Sequence, residues 1–224
     1  MEVSDIEQLL VEELPSHFGL THRVLAADLN MQEHQNEDFS FNDKKACRNC
    51  IQNNRKSCTI QEVAKFHVGT NKVLTIDIVN VLTIYSKSKS IIKERCDLLH
   101  VTENLSKFVL NELTCSNPKY VEPYDNTRSH QKGKRNKAQK QMEEVAKLLN
   151  RVPAIKSYID AFGEKIALFS WRDPLLGEST TNVAEESMQT FGLPLNLISN
   201  IKTLEELDNG FTFVQQLYPA VYNL

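Results

Sequence analysis

The sequence predicts a mostly α-helical protein, either one bundle-like array of many helices or two small helical subdomains with a linker near residues 115–138. Glycine and proline are scarce, at seven each in 224 residues, which disfavours a β-sandwich with many turns. Apolar residues recur every three or four positions in most segments, as on one buried face of a helix. A Ser or Thr followed three residues later by Glu is the capping-box spacing that begins helices. It occurs at Ser4 and Glu7, Thr59 and Glu62, and Thr203 and Glu206.

The amino-terminal region, residues 1–43, is predicted to contain two helices and a loop. Ser4 caps the first helix, whose apolar residues share one face until Pro15. Thr21 caps the second helix, HRVLAADLNM. The polar stretch QEHQNEDFSFNDKK follows without a hydrophobic period, so we expect a loop there.

The central region, residues 44–114, is predicted to be basic, cysteine-containing and helical. A capped helix over 59–68 ends at Gly69. KVLTIDIVNVLTIYSK is ambiguous: β-branched residues favour a strand, but helical spacing connects Ile78, Val81, Leu82 and Tyr85, and we predict a helix. SIIKERCDLLH and TENLSKFVLNEL carry the apolar stripes of two amphipathic helices, which need partners and most simply pack on each other.

Residues 115–138 contain two prolines and many turn residues, which predicts a linker or mobile loop and the best domain boundary. The region after it, residues 139–224, is predicted to be helical. QMEEVAKLLN forms one helix, and Pro153 begins another, PAIKSYIDAF, which Gly163 closes. EKIALFSW is either a strand or a buried helical turn, and the remainder is predicted to form short helices.

Charge is strongly segregated along the chain, although the net charge is only -3. Residues 1–43 carry -9, residues 44–173 carry +11 and residues 174–224 carry -5. A basic middle of this kind indicates a polyanionic or acidic partner. Acidic ends that fold back and neutralise the centre would give the same counts.

The amino-terminal sequence and the cysteines indicate the cellular compartment. The start MEVSDIEQLLVEELP is acidic and does not resemble a signal peptide, and no stretch is long and apolar enough for a membrane span. Five cysteines, an odd number, are expected to be reduced thiols or metal ligands. We therefore expect an intracellular protein of the nucleus or cytoplasm, with no membrane partner.

The stretch ACRNCIQNNRKSC is the candidate metal site. Cys47 and Cys50 have the Cys-x-x-Cys spacing that directs two thiolates to one ion, and Cys58 and His67 could complete a tetrahedral zinc site. Nearby lysines and arginines would keep the thiolates ionised. Reduced surface thiols without a metal are the alternative.

TIQEVAKFHVGTNKVLTI resembles a helix-turn-helix of the DNA-binding kind, through Thr59, Val63, Ala64, Gly69 and Val73. The resemblance implies two short helices, the second of which would bring Thr70, Asn71 and Lys72 to bases or phosphates. Val68 precedes Gly69, whereas the family usually has glycine before the hydrophobic turn residue. Any two short packed helices give the same pattern.

RSHQKGKRNKAQK, residues 128–140, is the densest basic segment, and no acid occurs between Asp125 and Glu143. Cations of this kind bind phosphates without regard to sequence and release them as salt rises. A nuclear-import patch or a solvated helix start would look the same.

MQTFGLPLNLISNIKTLEELDNGFTFVQQLYP is similar to the opening of a calponin-homology domain of microtubule-linked adaptors. The matching residues are Thr190, Phe191, Leu204, Leu207, Asn209, Gly210, Phe211, Val214, Leu217, Tyr218 and Pro219. Ser187 stands where that family has tryptophan. The resemblance implies helices and a cytoskeletal protein partner.

These patterns favour a non-enzymatic regulatory protein that binds nucleic acid through its basic centre. The predicted phosphate contacts are Lys44, Arg48, Arg55, Lys56, Lys72, Lys132, Lys134, Arg135 and Lys137. One alternative is a protein-interaction adaptor, in the cytoskeleton or elsewhere, that uses apolar helix faces. The other is a cysteine-dependent enzyme with Cys58 or Cys115 as its nucleophile, for which no local signature exists. The oligomeric state does not follow from these patterns.

Overall fold

The computed structural model shows a mixed α/β fold, so the predicted mostly α-helical class is wrong. The described residues are 5–43, 62–116, 118–125, 130–131, 133–173 and 201–224, and of residues 124–125 and 130–131 only the backbone is described. Strands, and not helices, form the centre of this part of the chain. None of its helices is long and apolar enough to cross a membrane.

Twelve strands lie within the described ranges and form a sheet of seven strands, a sheet of three and a pair. In chain order they are β1 (Gln32–His34), β2 (Glu37–Asn42), β3 (Glu62–Val68), β4 (Val73–Ile76), β5 (Leu98–Thr102), β6 (Lys107–Cys115), β7 (Tyr124–Asp125), β8 (His130–Gln131), β9 (Glu164–Arg172), β10 (Ile201–Glu206), β11 (Thr212–Leu217) and β12 (Val221–Asn223).

The large sheet has the order β1-β4-β5-β6-β9-β11-β10. Its three strands β6, β9 and β11 run parallel, with Val109 opposite Ile166 and Leu168 opposite Val214, and the other neighbours pair antiparallel. The end at which these three strands finish, which we call the carboxyl end, is also where β4 finishes and β5 begins. In sheets with parallel strands ligands bind at this end.

The helices cover one face of the large sheet. They are α1 (Asp5–Gln8), a π-helical turn (Leu9–Glu13), α2 (Leu14–Phe18), 3₁₀ turns at Ala26–Leu29 and Pro118–Tyr120, α3 (Ile78–Ser88), α4 (Gly133–Asn150) and α5 (Pro153–Asp160). Their apolar side chains and those of the sheet form the main core, which includes Leu10, Tyr85, Leu110, Val145 and Phe169.

The small sheet, in the order β12-β3-β2, covers the opposite face. A second apolar cluster lies between the two sheets and includes Phe66 of β3, Leu113 of β6 and Leu168 of β9. The central strands β4, β5, β6 and β9 are therefore buried on both faces, as is typical of parallel sheets.

Burial on two faces explains the main errors of the fold prediction. Every residue from Phe108 to Cys115 is buried, so β6 shows no alternation of polar and apolar residues. Its apolar residues fall by chance at helical spacing, and the two amphipathic helices predicted over residues 90–113 are instead β5 and β6. A continuous apolar run cannot distinguish a buried strand from a buried helix by periodicity alone.

Both family resemblances also implied helices that are absent from the described residues. The segment like a helix-turn-helix forms β3 and β4 in its described part, so the predicted helix over 59–68 is wrong. The described part of the segment similar to a calponin-homology domain forms β10 and β11. The predicted helix HRVLAADLNM is reduced to the 3₁₀ turn at Ala26–Leu29.

Several local predictions are confirmed. The amino-terminal segment is helical over Asp5–Phe18, Pro153 begins α5, and QMEEVAKLLN lies in α4, which starts earlier than predicted, at Gly133. EKIALFSW is the strand β9. The helix predicted over the ambiguous stretch 72–87 is confirmed only from Ile78 onward, because residues Val73–Ile76 form β4 and Asp77 caps α3 through a bond from the Asn80 N–H.

Candidate functional site

The start of helix α4 is anchored to the segment that follows β6. Gly133 has φ of +78°, and a Cβ atom there would lie 2.4 Å from the carbonyl carbon of Glu122, so only glycine fits. The Arg135 N–H donates to the Val121 carbonyl over 3.0 Å, and Arg135 Nη1 donates to Glu122 Oε1 over 2.6 Å. These contacts fix the first turn of α4 just beyond the carboxyl end of β6.

Positive charge is concentrated on the first turns of this helix. Lys134, Lys137 and Lys140 are exposed, and the first turn of α4 contains no acid. The helix dipole places partial positive charge at the same end, where acidic side chains are normally favoured. The start of α4 therefore combines exposed ammonium groups with the partial positive charge of the helix dipole, both of which attract anions.

A second segment adds to this charge. Gln141 Nε2 donates to the Arg95 carbonyl over 2.6 Å, and Lys140 Nζ lies 3.9 Å from Glu94 Oε1. The segment before β5 therefore lies beside α4, and the exposed Lys93 immediately precedes the residue pair that makes these contacts. We call Lys93, Lys134, Lys137 and Lys140 the basic surface.

The predicted phosphate contacts are only partly brought together. Lys134, Arg135 and Lys137 lie on α4, although Arg135 is paired with Glu122. Lys72 lies at the start of β4, at the opposite end of the sheet, and forms an ion pair of 2.7 Å with Glu33. The remaining predicted contacts, Lys44, Arg48, Arg55, Lys56 and Lys132, lie outside the described residues.

The zinc prediction falls mainly outside the described ranges, since Cys47, Cys50 and Cys58 are not among them. The prediction placed His67 on a helix, but it lies on the strand β3. Its Nδ1 is 2.6 Å from Asp38 Oδ1 at the surface. Within the described part of the chain no three His, Cys, Asp or Glu side chains are grouped closely enough to hold a metal ion.

Sequence reasoning found the cations of α4 but missed Lys93 and the pairing of Arg135. The α4 cations form a dense local run, which is visible without tertiary structure. Lys93 lies far away in the chain and joins them only through the contacts of residues 94 and 95 with α4. No local pattern signals that contact.

Comparison with known proteins adds no family to these observations. The chain matches no protein-family model, no curated protein and no solved structure.

Proposed function

We propose that this protein binds nucleic acid through the phosphate backbone, with the basic surface at the start of α4 as the contact. The observation that supports the proposal is the exposure of three lysines on the first turns of a helix that has no acid in its first turn. Phosphate contacts made by lysine are electrostatic and insensitive to base sequence.

The pattern of ion pairs among the described residues supports the availability of the basic surface to an anionic ligand. Lys134 and Lys137 have no carboxylate partner among those residues, whereas Lys72, Lys156 and Lys165 each have one. Placing lysines at the positive end of a helix costs about 0.3–1 kcal/mol each, which a bound phosphate would offset. The proposal places the protein inside the cell, in the nucleus or cytoplasm, as a regulatory binding protein and not an enzyme.

The adaptor alternative has less support. The apolar faces of α3, α4 and α5 pack into the main core, and the exposed large apolar side chains in the described ranges are Leu25 and Val221. These two isolated side chains do not form a docking face of the size that marks a protein interface.

Binding of a fluorescent DNA duplex at several salt concentrations tests the proposal. We expect affinity to fall linearly with salt on logarithmic axes, with a slope of roughly 0.9 for each phosphate neutralised. The double variant Lys134→Gln and Lys137→Gln should weaken binding at every sequence tested and lower the slope by about 2. The control is Lys72→Gln with Lys147→Gln, which removes the same charge from positions outside the basic surface.

The control should retain the slope of the unmodified protein. Equal losses in the two double variants would contradict the proposal, because net charge and not the basic surface would then determine binding. Binding of a protein partner without dependence on salt, together with no binding of duplex, would favour the adaptor alternative.

A further inference from the structure

A cavity of about 300 Å³ lies at the carboxyl end of the large sheet, between β4, β5 and β6 on one side and β2 on the other. Leu113, which lines it, is two residues from the end of β6, and α4 begins beyond the same end. Lys93 of the basic surface precedes Asp97, another lining residue, by four positions, so their Cα atoms lie within about 14 Å of each other. The cavity and the basic surface are therefore neighbours at one end of the sheet.

One wall of the cavity is the half-buried ring of Phe41. Its centroid lies 5.9 Å from that of the His100 ring and 6.2 Å from that of the Phe66 ring, so packing between the two sheets holds it in place. Leu98 and Leu113 add aliphatic surface to the lining. A planar ring that enters the cavity would exchange water for contact with an aromatic side chain that is already ordered.

The rim of the cavity consists of three exposed carboxamides, those of Asn30, Gln32 and Asn42. A carboxamide both donates and accepts hydrogen bonds, so it can pair with the polar edge of any nucleobase. The rim thus suits a polar ring without selecting one base sequence, which agrees with binding through the phosphate backbone.

The floor of the cavity does not suit a phosphate. It contains Asp77 and Asp97, whose carboxylates accept bonds from the backbone N–H groups of Asn80 and Leu113 and so belong to the framework of the fold. No lysine, arginine or histidine is among the described residues that line the cavity. Of a nucleotide, only the uncharged base fits inside, and the phosphate remains outside, toward the cations.

We infer that the cavity receives one unpaired nucleobase of a single strand whose phosphates lie on the basic surface, an inference that rests on the proposed function. A base stacks on aromatic side chains and carries donors and acceptors along its edge, which matches the Phe41 wall and the carboxamide rim. The volume lies at the lower end of the range for small-molecule pockets, which suits a single base. In a duplex the bases are stacked and paired, so a duplex contacts only the basic surface.

Fluorescence anisotropy with the full chain and three labelled probes of equal length tests this inference. The probes are a mixed-sequence single strand, the same strand with every base removed, and the duplex. We expect the single strand to bind about tenfold more tightly than the abasic strand. Phe41→Leu removes the stacking ring and keeps an apolar side chain, so it should abolish most of that preference. The same variant should leave the affinities for the abasic strand and the duplex unchanged, and also the salt slope.

Phe18→Leu is the matched control, because Phe18 is also half-buried but lies on α2, where its ring packs against the guanidinium of Arg151. It should leave the affinities for all three probes unchanged, and the melting temperatures of both leucine variants report folding. Gln32→Ala alters only the exposed rim and so tests the cavity even if Phe41→Leu fails to fold. It should weaken the single strand about threefold and leave the abasic strand unchanged.

The variant Lys134→Gln with Lys137→Gln separates the cavity from the basic surface, since it should weaken all three probes alike. Equal affinities for the single strand and the abasic strand, both lowered by this variant, would overturn the inference and leave the proposed function intact. Absence of salt-dependent binding for every probe would overturn both. DNA and RNA versions of the single strand, titrated in parallel, distinguish the two sources of an unpaired base.

Discussion

The two faces of the large sheet are buried to a similar degree but by different chemistry. On the helix face, β6 and β9 contribute apolar side chains such as Phe108, Leu110 and Phe169 to a continuous core. On the face toward the small sheet, the same strands bury Asn111 and Ser170 among leucine and valine. Neighbouring residues of one strand thus meet two different environments.

The polar groups of the second face form a connected chain. Asn111 Nδ2 donates to Ser170 Oγ over 2.9 Å, and Ser170 Oγ donates to Gln216 Oε1 over 2.8 Å. Gln216 Nε2 then donates to the carbonyl groups of Lys65 in β3 and Ala220 before β12. The chain crosses three parallel strands and ends on the small sheet.

This difference separates two contributions to the fold. Apolar burial on the helix face supplies stability in proportion to area and tolerates sliding of one layer over another. A buried polar chain adds little net free energy, but each group that loses its partner is costly. We infer that the polar chain fixes where the small sheet sits, whereas the helix face supplies most of the stability.

Truncation of the helix face should have the largest effect. Phe169 is fully buried in the main core, and Phe169→Ala should lower the free energy of unfolding by about 3–5 kcal/mol because it leaves a cavity. Urea unfolding followed by circular dichroism measures this change. A loss below about 1 kcal/mol would show that the helix face is not the main source of stability.

The second face should show the larger sensitivity to acid. His100 is fully buried there, its Nδ1 lies 2.8 Å from Thr75 Oγ1, and burial lowers its pKa from 6.5 to about 3. Because the folded pKa is below the unfolded one, this contribution is complete above pH 6.5 and is lost as pH falls toward 3. The loss should reach roughly 3 kcal/mol by pH 4.

The free energy of unfolding should be measured from pH 7 to pH 4 in the unmodified protein and in His100→Gln. The difference between the two curves separates the contribution of His100 from that of the carboxylates. The variant should show a shallower decline, since it has no imidazole to protonate. Positive charge on His34 would oppose protonation of His100 further. Parallel curves for the two proteins would contradict the assignment.

Disruption of the polar chain should have an intermediate effect. Ser170→Ala leaves Gln216 Oε1 and one donor position of Asn111 without this partner, which should cost about 1–3 kcal/mol. A double-mutant cycle with Gln216→Leu should recover part of that loss, because both ends of one bond are then removed. Strict additivity of the two losses would show that the bond does not couple the strands.

The two faces also explain how far the fold could be predicted. Helices α4 and α5 have one buried face and one exposed face, and their 3.6-residue pattern is correctly interpreted. Strand β6 has two buried faces, so polar residues such as Asn111 appear inside an apolar run and mimic the polar side of a helix. What decides between these alternatives is the presence of the small sheet, which is a tertiary property.

The candidate sites likewise could be predicted from sequence only where their residues are close together in the chain. The lysines of α4 are adjacent in the chain and could be identified from charge alone. One cavity at the carboxyl end of the sheet is lined by Asp77, which caps α3, and by Asp97, which precedes β5, and only the antiparallel pairing of β4 with β5 brings these residues together. The capping role of Asp77 does have a local signal, the Asp at the start of the apolar helical run, which the helix predicted from residue 72 obscured.

The smallest effect is expected outside both faces. Asp160 lies on the surface at the end of α5, where hydrogen bonds from Lys156 and Lys165 lower the pKa of its carboxyl group. Water and salt screen these exposed pairs, so Asp160→Asn should change the free energy of unfolding by less than about 0.5 kcal/mol. Urea unfolding in low and high salt measures this change. A loss of stability comparable to that of Ser170→Ala would mean that surface ion pairs, and not the buried polar chain, account for the polar contribution to stability.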